Sequence, residues 1–336
     1  MYFGNNEEIL TMKKILNIFV VSFALVFSSN LFANKIGVIY DSGGKFDKSF
    51  NELAFRTAER VKNELGWDMI EFEAANNTQI EQGMRKVADR GATLVVAMGF
   101  AQADAVAAIA PQYPDINFVA VDVCWVDDPA GNIYQACYLE HEGSFLVGVI
   151  AAMASKTGTI GFVGGMDIPL IRKFQGGYEQ GALHANPNIK ILANMTGTTP
   201  EAWNNPTKGA ELTKAQIDGG ADVVYQAAGG TGIGVLQAAA DAGIMGIGVD
   251  TNQNWMHPGS MLTSMLKRLD LTIFEQAEKT AAGTFEPGIN ILGLAQGMVG
   301  YATEDGMVTD EMAAAADAAA AGIIDGSIAV ADWSQE

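Results

Sequence analysis

"GADVVYQAAGGTGIGVLQAAADAGIMGIGVD" (residues 220–250) holds a short apolar run, a glycine-rich turn, a stretch of helical length and a second apolar run ending in Val-Asp. That order reads as two parallel strands joined by a crossover helix. The same order occurs earlier, from "GATLVVAMG" (91–99) to "NFVAVD" (117–122). The first of these segments begins 30 residues before Asp250 and the second 31 residues before Asp122. Asp41 and Asp122 lie 81 residues apart, Asp167 and Asp250 83. Two α/β lobes built to one plan account for this agreement.

Outward from these segments the alternation continues. "KIGVIY" (35–40), "MIEFEA" (69–74), "TLVVAM" (93–98) and "NFVAV" (117–121) read as buried strands. Longer helical patterns separate them, as in a doubly wound parallel sheet. The pattern restarts at "TIGFVGGMD" (159–167). The first lobe is assigned to 34–140 plus about 268–310, and the second to 141–267 plus the C-terminal tail. Three crossings between the lobes would make a hinge beside a cleft.

Ahead of the lobes, "MKK" (12–14), the apolar "ILNIFVVSFALVF" (15–27) and "SSNLFA" (28–33) form a signal-peptide pattern ending at Ala33. Residues 1–11 carry none of these signals, which offers Met12 as an alternative start. The apolar stretch is short for a transmembrane helix, so an exported, soluble product without direct membrane insertion is expected. The 336-residue chain has a net charge of −19, which argues against nucleic acid as a partner. In an exported chain the two cysteines, Cys124 and Cys137, suggest one disulfide, with two buried thiols as the alternative. No metal site is expected, because the three histidines are widely scattered.

In open parallel sheets ligands bind beyond the carboxyl ends of the strands. Those positions here are Asp41 to Asn51, Gly99–Phe100 and Asp122 in the first lobe, and Gly164 to Phe174, Ala228 to Gly232 and Asp250 in the second. Acids, amides, glycines and single aromatics suit a polar, flat-faced small molecule. In "GGKFDKSF" (43–50), Phe46 sits on the loop and is a pocket candidate. Phe50 and Phe55 fall at helical spacing and are assigned to the buried face of the first helix. Phe174 fits either the pocket or a buried helix face. Asp41 and Asp122 suit helix caps as well as a site, and Lys267 alone would read as a surface charge. The loop at Gly230, Gly232 and Gly234 lacks the spacing of a dinucleotide fingerprint, so no cofactor is expected. No Ser-His-Asp arrangement with a nucleophile elbow, zinc-protease motif or Walker lysine occurs, so no enzyme activity is expected.

The stretches "KIGVIYDSGGKFDKSFNELAF", "HEGSFLVGVIAA", "IGFVGGMDIPLIRKFQGGYEQGA", "GADVVYQAAGGTGIGVLQAA", "GVDTNQ" and "LTSMLKRLD" run in order over roughly 35–270. Together they resemble the basic membrane protein (Bmp) family of substrate-binding proteins for ABC transporters, which includes PnrA-like purine nucleoside receptors. The resemblance implies a type I periplasmic-binding-protein fold, with two doubly wound parallel-sheet lobes joined by a hinge. It implies that Phe46 and Phe174 stack on the two faces of a purine, and that Asp122 bonds the base edge with Asn51 nearby. Asp250 would accept from the ribose hydroxyls and Lys267 would donate to the sugar. Gly230 would bring backbone close to the ligand, and Asp47 adds a contact on the first loop. It also implies a monomeric receptor that delivers its nucleoside to a permease. Many members are lipoproteins. This sequence has no cysteine at the cleavage site, which implies a protein free in a periplasm. The competing readings are the same receptor for another flat-ring or sugar-like solute, and an exported nucleoside-processing enzyme.

Overall fold

A computed structural model of the chain describes residues 34–74 and 76–335. The signal segment expected at 1–33 lies outside the described residues.

The central apolar runs form strands buried on both faces, as parallel sheets require when helices cover each side, while the outer strands, Asp68–Glu73 and Lys190–Gly197, are only partly buried. In the first sheet, β1 (Lys35–Tyr40), β2 (Asp68–Glu73), β3 (Leu94–Met98), β4 (Asn117–Val121) and β5 (Ile133–Tyr138) are followed much later by β11 (Gly288–Leu292). The spatial order is β2-β1-β3-β4-β5-β11, and every pairing is parallel. The second sheet contains β6 (Thr159–Met166), β7 (Lys190–Gly197), β8 (Val223–Ala227), β9 (Met245–Asp250), β10 (Met261–Lys267) and β12 (Val299–Tyr301). Its order, β7-β6-β8-β9-β10-β12, repeats that of the first sheet, except that β12 is antiparallel. The internal repeat in the sequence is therefore a repeat of topology. Of the stretch 268–310, Gly288–Leu292 joins the first sheet and Val299–Tyr301 the second.

Three connections pass between the sheets. Helix α4 (Glu140–Ala154) leaves β5 and leads into the second lobe. It lies against α5 (Pro169–Ala185), where a Cβ at Gly177 or Gly181 would overlap the α4 main chain. Glycine at these positions lets the two backbones touch. After β10, helix α8 (Leu269–Ala282) returns to the first lobe and packs on α1 (Phe50–Leu65). There the Arg60 guanidinium sits 3.6 Å from the Phe274 ring centroid, and Asn117 bonds Thr280 at 3.0 Å. The chain then runs from β11 to β12, and the Ala-rich α9 (Asp310–Ile324) packs on α4. Among the described residues, no helix is long and apolar enough to cross a membrane.

Candidate functional site

The carboxyl ends of six strands converge on one pocket between the lobes. Asp41 follows β1, Gly99 follows β3 and Asp122 follows β4; Ala227, Asp250 and Lys267 end β8, β9 and β10. The repeated Val-Asp now has a geometric meaning. Asp122 and Asp250 both adopt left-handed backbone, with φ of 62° and 65°. Aspartate tolerates this region better than most side chains. The turn aims each carboxylate over the end of its own sheet, so the two lobes present matching acids to the same space.

Lys267 lies between them. It is 1% exposed, and its Nζ is 2.6 Å from Asp122 Oδ1 and 3.0 Å from Glu140 Oε1. Glu140, the first residue of α4, also pairs with Lys173 at 2.7 Å. The ammonium of Lys267 is 5.4 Å from the Phe50 ring centroid, 5.0 Å from Tyr138 and 5.7 Å from Phe174. Burial pushes the Asp122 carboxyl up, to about 6, although Lys267 pulls it down. Burial also opposes ionisation of Glu140, but Lys173 and Lys267 outweigh it and hold that carboxyl down at about 2.

The sign of the Glu140 shift sets a pH window. Its folded value lies below the ordinary 4.5, so its stabilisation is complete above that pH and lost as pH falls from 4.5 to about 2. Asp122 acts in the opposite sense between 3.8 and about 6, where rising pH costs stability. Below pH 3.8 the raised acids Asp122 and Asp47 no longer oppose Glu140, so melting temperature should fall there, and Glu140→Gln should flatten that limb. Identical acid limbs for the two proteins would refute the assignment.

The first loop divides its residues between support and contact. The Asp47 carboxylate accepts N–H bonds from Ser49, Asn51 and Glu52 at 2.8, 3.0 and 3.1 Å, capping α1 while lining the pocket. Burial nonetheless pushes the Asp47 carboxyl up to about 8. Asn51 is fully buried behind Asp41, to which its Nδ2 donates at 2.6 Å. It positions that carboxylate, and Asp41 is the residue that lines the pocket.

Phe46 differs from expectation. It is 61% exposed, sets its ring at 83° to Phe55 and lies outside the pocket lining. Phe50, assigned from spacing to the helix core, lines the pocket instead, and Phe174 of the other lobe lines it too. The reason is local: Lys48 takes a left-handed φ of 61°, and the Asp47 cap starts the helix at Phe50. Gly230 stands just behind the lining, where a Cβ would lie 3.2 Å from the Trp203 carbonyl and 3.3 Å from that of Gly43 in the first lobe. Trp203, Glu140 and Ser49 were not singled out from the sequence. Glu140 had one signal, an acid opening an otherwise apolar helix.

The lobes touch across the pocket. The Ser49 hydroxyl donates to Asp250 Oδ2 at 2.5 Å, and Gln253 Nε2 donates to the Lys48 carbonyl at 2.9 Å. The space between these strand ends is about 60 Å³, enough for a few waters where one needs about 10–15 Å³. A larger ligand must therefore enter as the lobes part. Ser49→Ala removes a bond to a charged group made only when the lobes meet, on the order of 2 kcal/mol. The variant should show a larger radius of gyration by X-ray scattering without added ligand. An unchanged radius would mean that this bond does not hold the lobes together.

Cys124, two residues beyond Asp122, is disulfide-bonded to Cys137 on β5, with the Cα atoms 5.7 Å apart. The bond ties the Asp122 turn to the neighbouring strand.

Comparison with known proteins agrees with the two-lobed fold. The family described as ABC transporter substrate-binding protein PnrA-like (Bmp) matches residues 33–332. Basic membrane protein A2 of Borrelia garinii subsp. bavariensis is 33% identical over 303 residues, covering 88% of each chain. A protein named ABC transporter nucleoside-binding protein BmpA, from Lactococcus lactis subsp. cremoris, is 31% identical over 319 residues, again with 88% of each covered. Among solved structures, an ABC transporter solute-binding protein from Aeropyrum pernix K1 superposes with a TM-score of 0.80 at 25% identity, covering 89% of this chain and 93% of that one. The two-lobed architecture is that of type I periplasmic binding proteins. With nearly all of its described length matched, the chain belongs to the Bmp family of PnrA-like ABC transporter substrate-binding proteins.

Proposed function

We propose that this protein captures a nucleoside, a purine nucleoside by preference, between its lobes and delivers it to the permease of an ABC importer. The observation that carries the reading is the placement of Phe50 and Phe174, from opposite lobes, around one pocket with Asp122, Asp250 and Lys267. Two rings gripping a flat base provide affinity that tolerates more than one base. Asp250 accepts from the ribose diol, displacing the Ser49 hydroxyl as it does so, and Asp122 accepts from the base edge. Lys267 carries three N–H donors, two of them directed at Asp122 and Glu140, and the third serves the sugar. Gly230 and Asp47 shape the backbone around the ligand. A ligand that touches both lobes favours the closed form, which is the form the permease reads. The protein works as a monomer, free in the periplasm after removal of its signal segment, and returns its ligand chemically unchanged. The relative named as a nucleoside-binding protein supports this reading.

A thermal-shift screen of nucleosides, free bases, sugars and flavins tests it. A bound nucleoside at a hundredfold excess over its dissociation constant should add about 2.7 kcal/mol of apparent stability. If only another class of solute shifts the melt, the nucleoside assignment fails. Release of free base from inosine would instead favour a nucleoside-processing enzyme.

A further inference from the structure

We infer that the cleft continues past Asp122 into a second chamber, and that the receptor therefore accepts purine nucleosides carrying an apolar group on the 6-amino nitrogen. This rests on the nucleoside reading above. The chamber measures about 490 Å³, against about 60 Å³ for the inner pocket. Phe100, Asp122 and Leu170 border both spaces. Phe100 belongs to the first lobe and Leu170 to the second, so this dividing wall opens when the lobes part.

The chamber's chemistry is apolar. Trp125, Ile168, Ile291 and the Cys124–Cys137 disulfide line it. Its lysine, Lys173, is already engaged by Glu140 at 2.7 Å and donates to the Tyr138 carbonyl at 2.5 Å. Asp122, Glu140 and Asp332 put three acids at the edge of this otherwise apolar lining, with Ser334 beside Asp332. Trp125 is 62% exposed and Ile291 53%, so an apolar guest would cover apolar surface now facing water. Asp122 stands at the junction, where the edge of the base is placed. A secondary amine at the purine 6-position keeps one N–H to donate to the Asp122 carboxylate while its substituent points into the chamber. An anionic substituent would find, among the described lining residues, no cation but the paired Lys173.

Calorimetric titration of the protein with adenosine and with the riboside of 6-benzylaminopurine tests this inference. The benzyl compound should bind at least as tightly as adenosine, with roughly tenfold tighter binding if most of the ring is buried. Ile291→Trp, at an exposed edge-strand position, should weaken the benzyl compound about tenfold by filling the chamber while leaving adenosine unaffected. Trp125→Ala should weaken the benzyl compound alone by removing part of the wall. Adenosine binding with rejection of the benzyl compound would overturn the second chamber and spare the nucleoside reading. So would benzyl binding that neither variant alters. Failure of both compounds to bind would overturn the nucleoside reading and this extension with it.

Discussion

Lys267→Met is expected to lower the unfolding free energy by about 3–5 kcal/mol, the usual cost of removing one partner from a buried ion pair. The methionine stem replaces much of the lysine's volume, so lost packing accounts for little of this. The cost lies in what is left behind. Asp122, only 8% exposed, loses its 2.6 Å partner, and Glu140 keeps Lys173 alone. Burial disfavours the Lys267 ammonium, yet Asp122 and Glu140 together raise its pKa above the ordinary lysine value, so lysine is held charged here. The cluster joins Asp122 of the first lobe, Glu140 at the start of the crossing helix, and Lys267 and Lys173 of the second. The variant should therefore lose ligand affinity along with stability. Urea unfolding of Lys267→Met and of Lys267→Met/Asp122→Asn separates the causes. The second substitution removes the orphaned charge and should recover a large part of the loss. A single-variant loss below about 1 kcal/mol would show that the cluster does not stabilise the fold as buried pairs do.

The architecture was legible in the sequence because it depends on repetition. Two β-α-β segments that differ by one residue in length, each ending in Val-Asp, put Asp122 and Asp250 at matching strand ends of the two sheets. Spacing puts Phe46 on the loop and Phe50 on the first helix, as the structure has them, but does not say which ring turns to the pocket. That direction depends on the Asp47 cap and on the left-handed Lys48, a conformation that spacing does not encode. Ser49 was hidden for a different reason. Its partner, Asp250, is 201 residues away, and a hydroxyl on a loop carries no signal of a contact with another lobe. Glu140 reads as an ordinary helix-start acid until two lysines, from a helix and a strand of the second lobe, are seen to meet it.

Phe50→Ala and Phe174→Ala should each cost about 1–3 kcal/mol of nucleoside binding, and the double variant about 2–6 kcal/mol, whereas Phe46→Ala should leave affinity unchanged. The contrast follows from geometry. Phe50 and Phe174 line the pocket from opposite lobes, both within 6 Å of the Lys267 ammonium by ring centroid. Phe46 turns outward and leans on Phe55. Phe174 is 3% exposed, so its truncation also leaves a cavity, and the stability of that variant must be measured beside its affinity. Phe50→Leu keeps apolar bulk without a π-face and isolates stacking from packing: if stacking matters, it should bind nearly as weakly as the alanine variant. Equal losses from Phe46→Ala and Phe50→Ala would mean that the loop turns Phe46 inward on binding, so that the ligand-bearing pocket differs from the one formed by the touching lobes. Loss from Phe46→Ala alone would return the stacking role to the loop residue and leave Phe50 as the buried start of its helix.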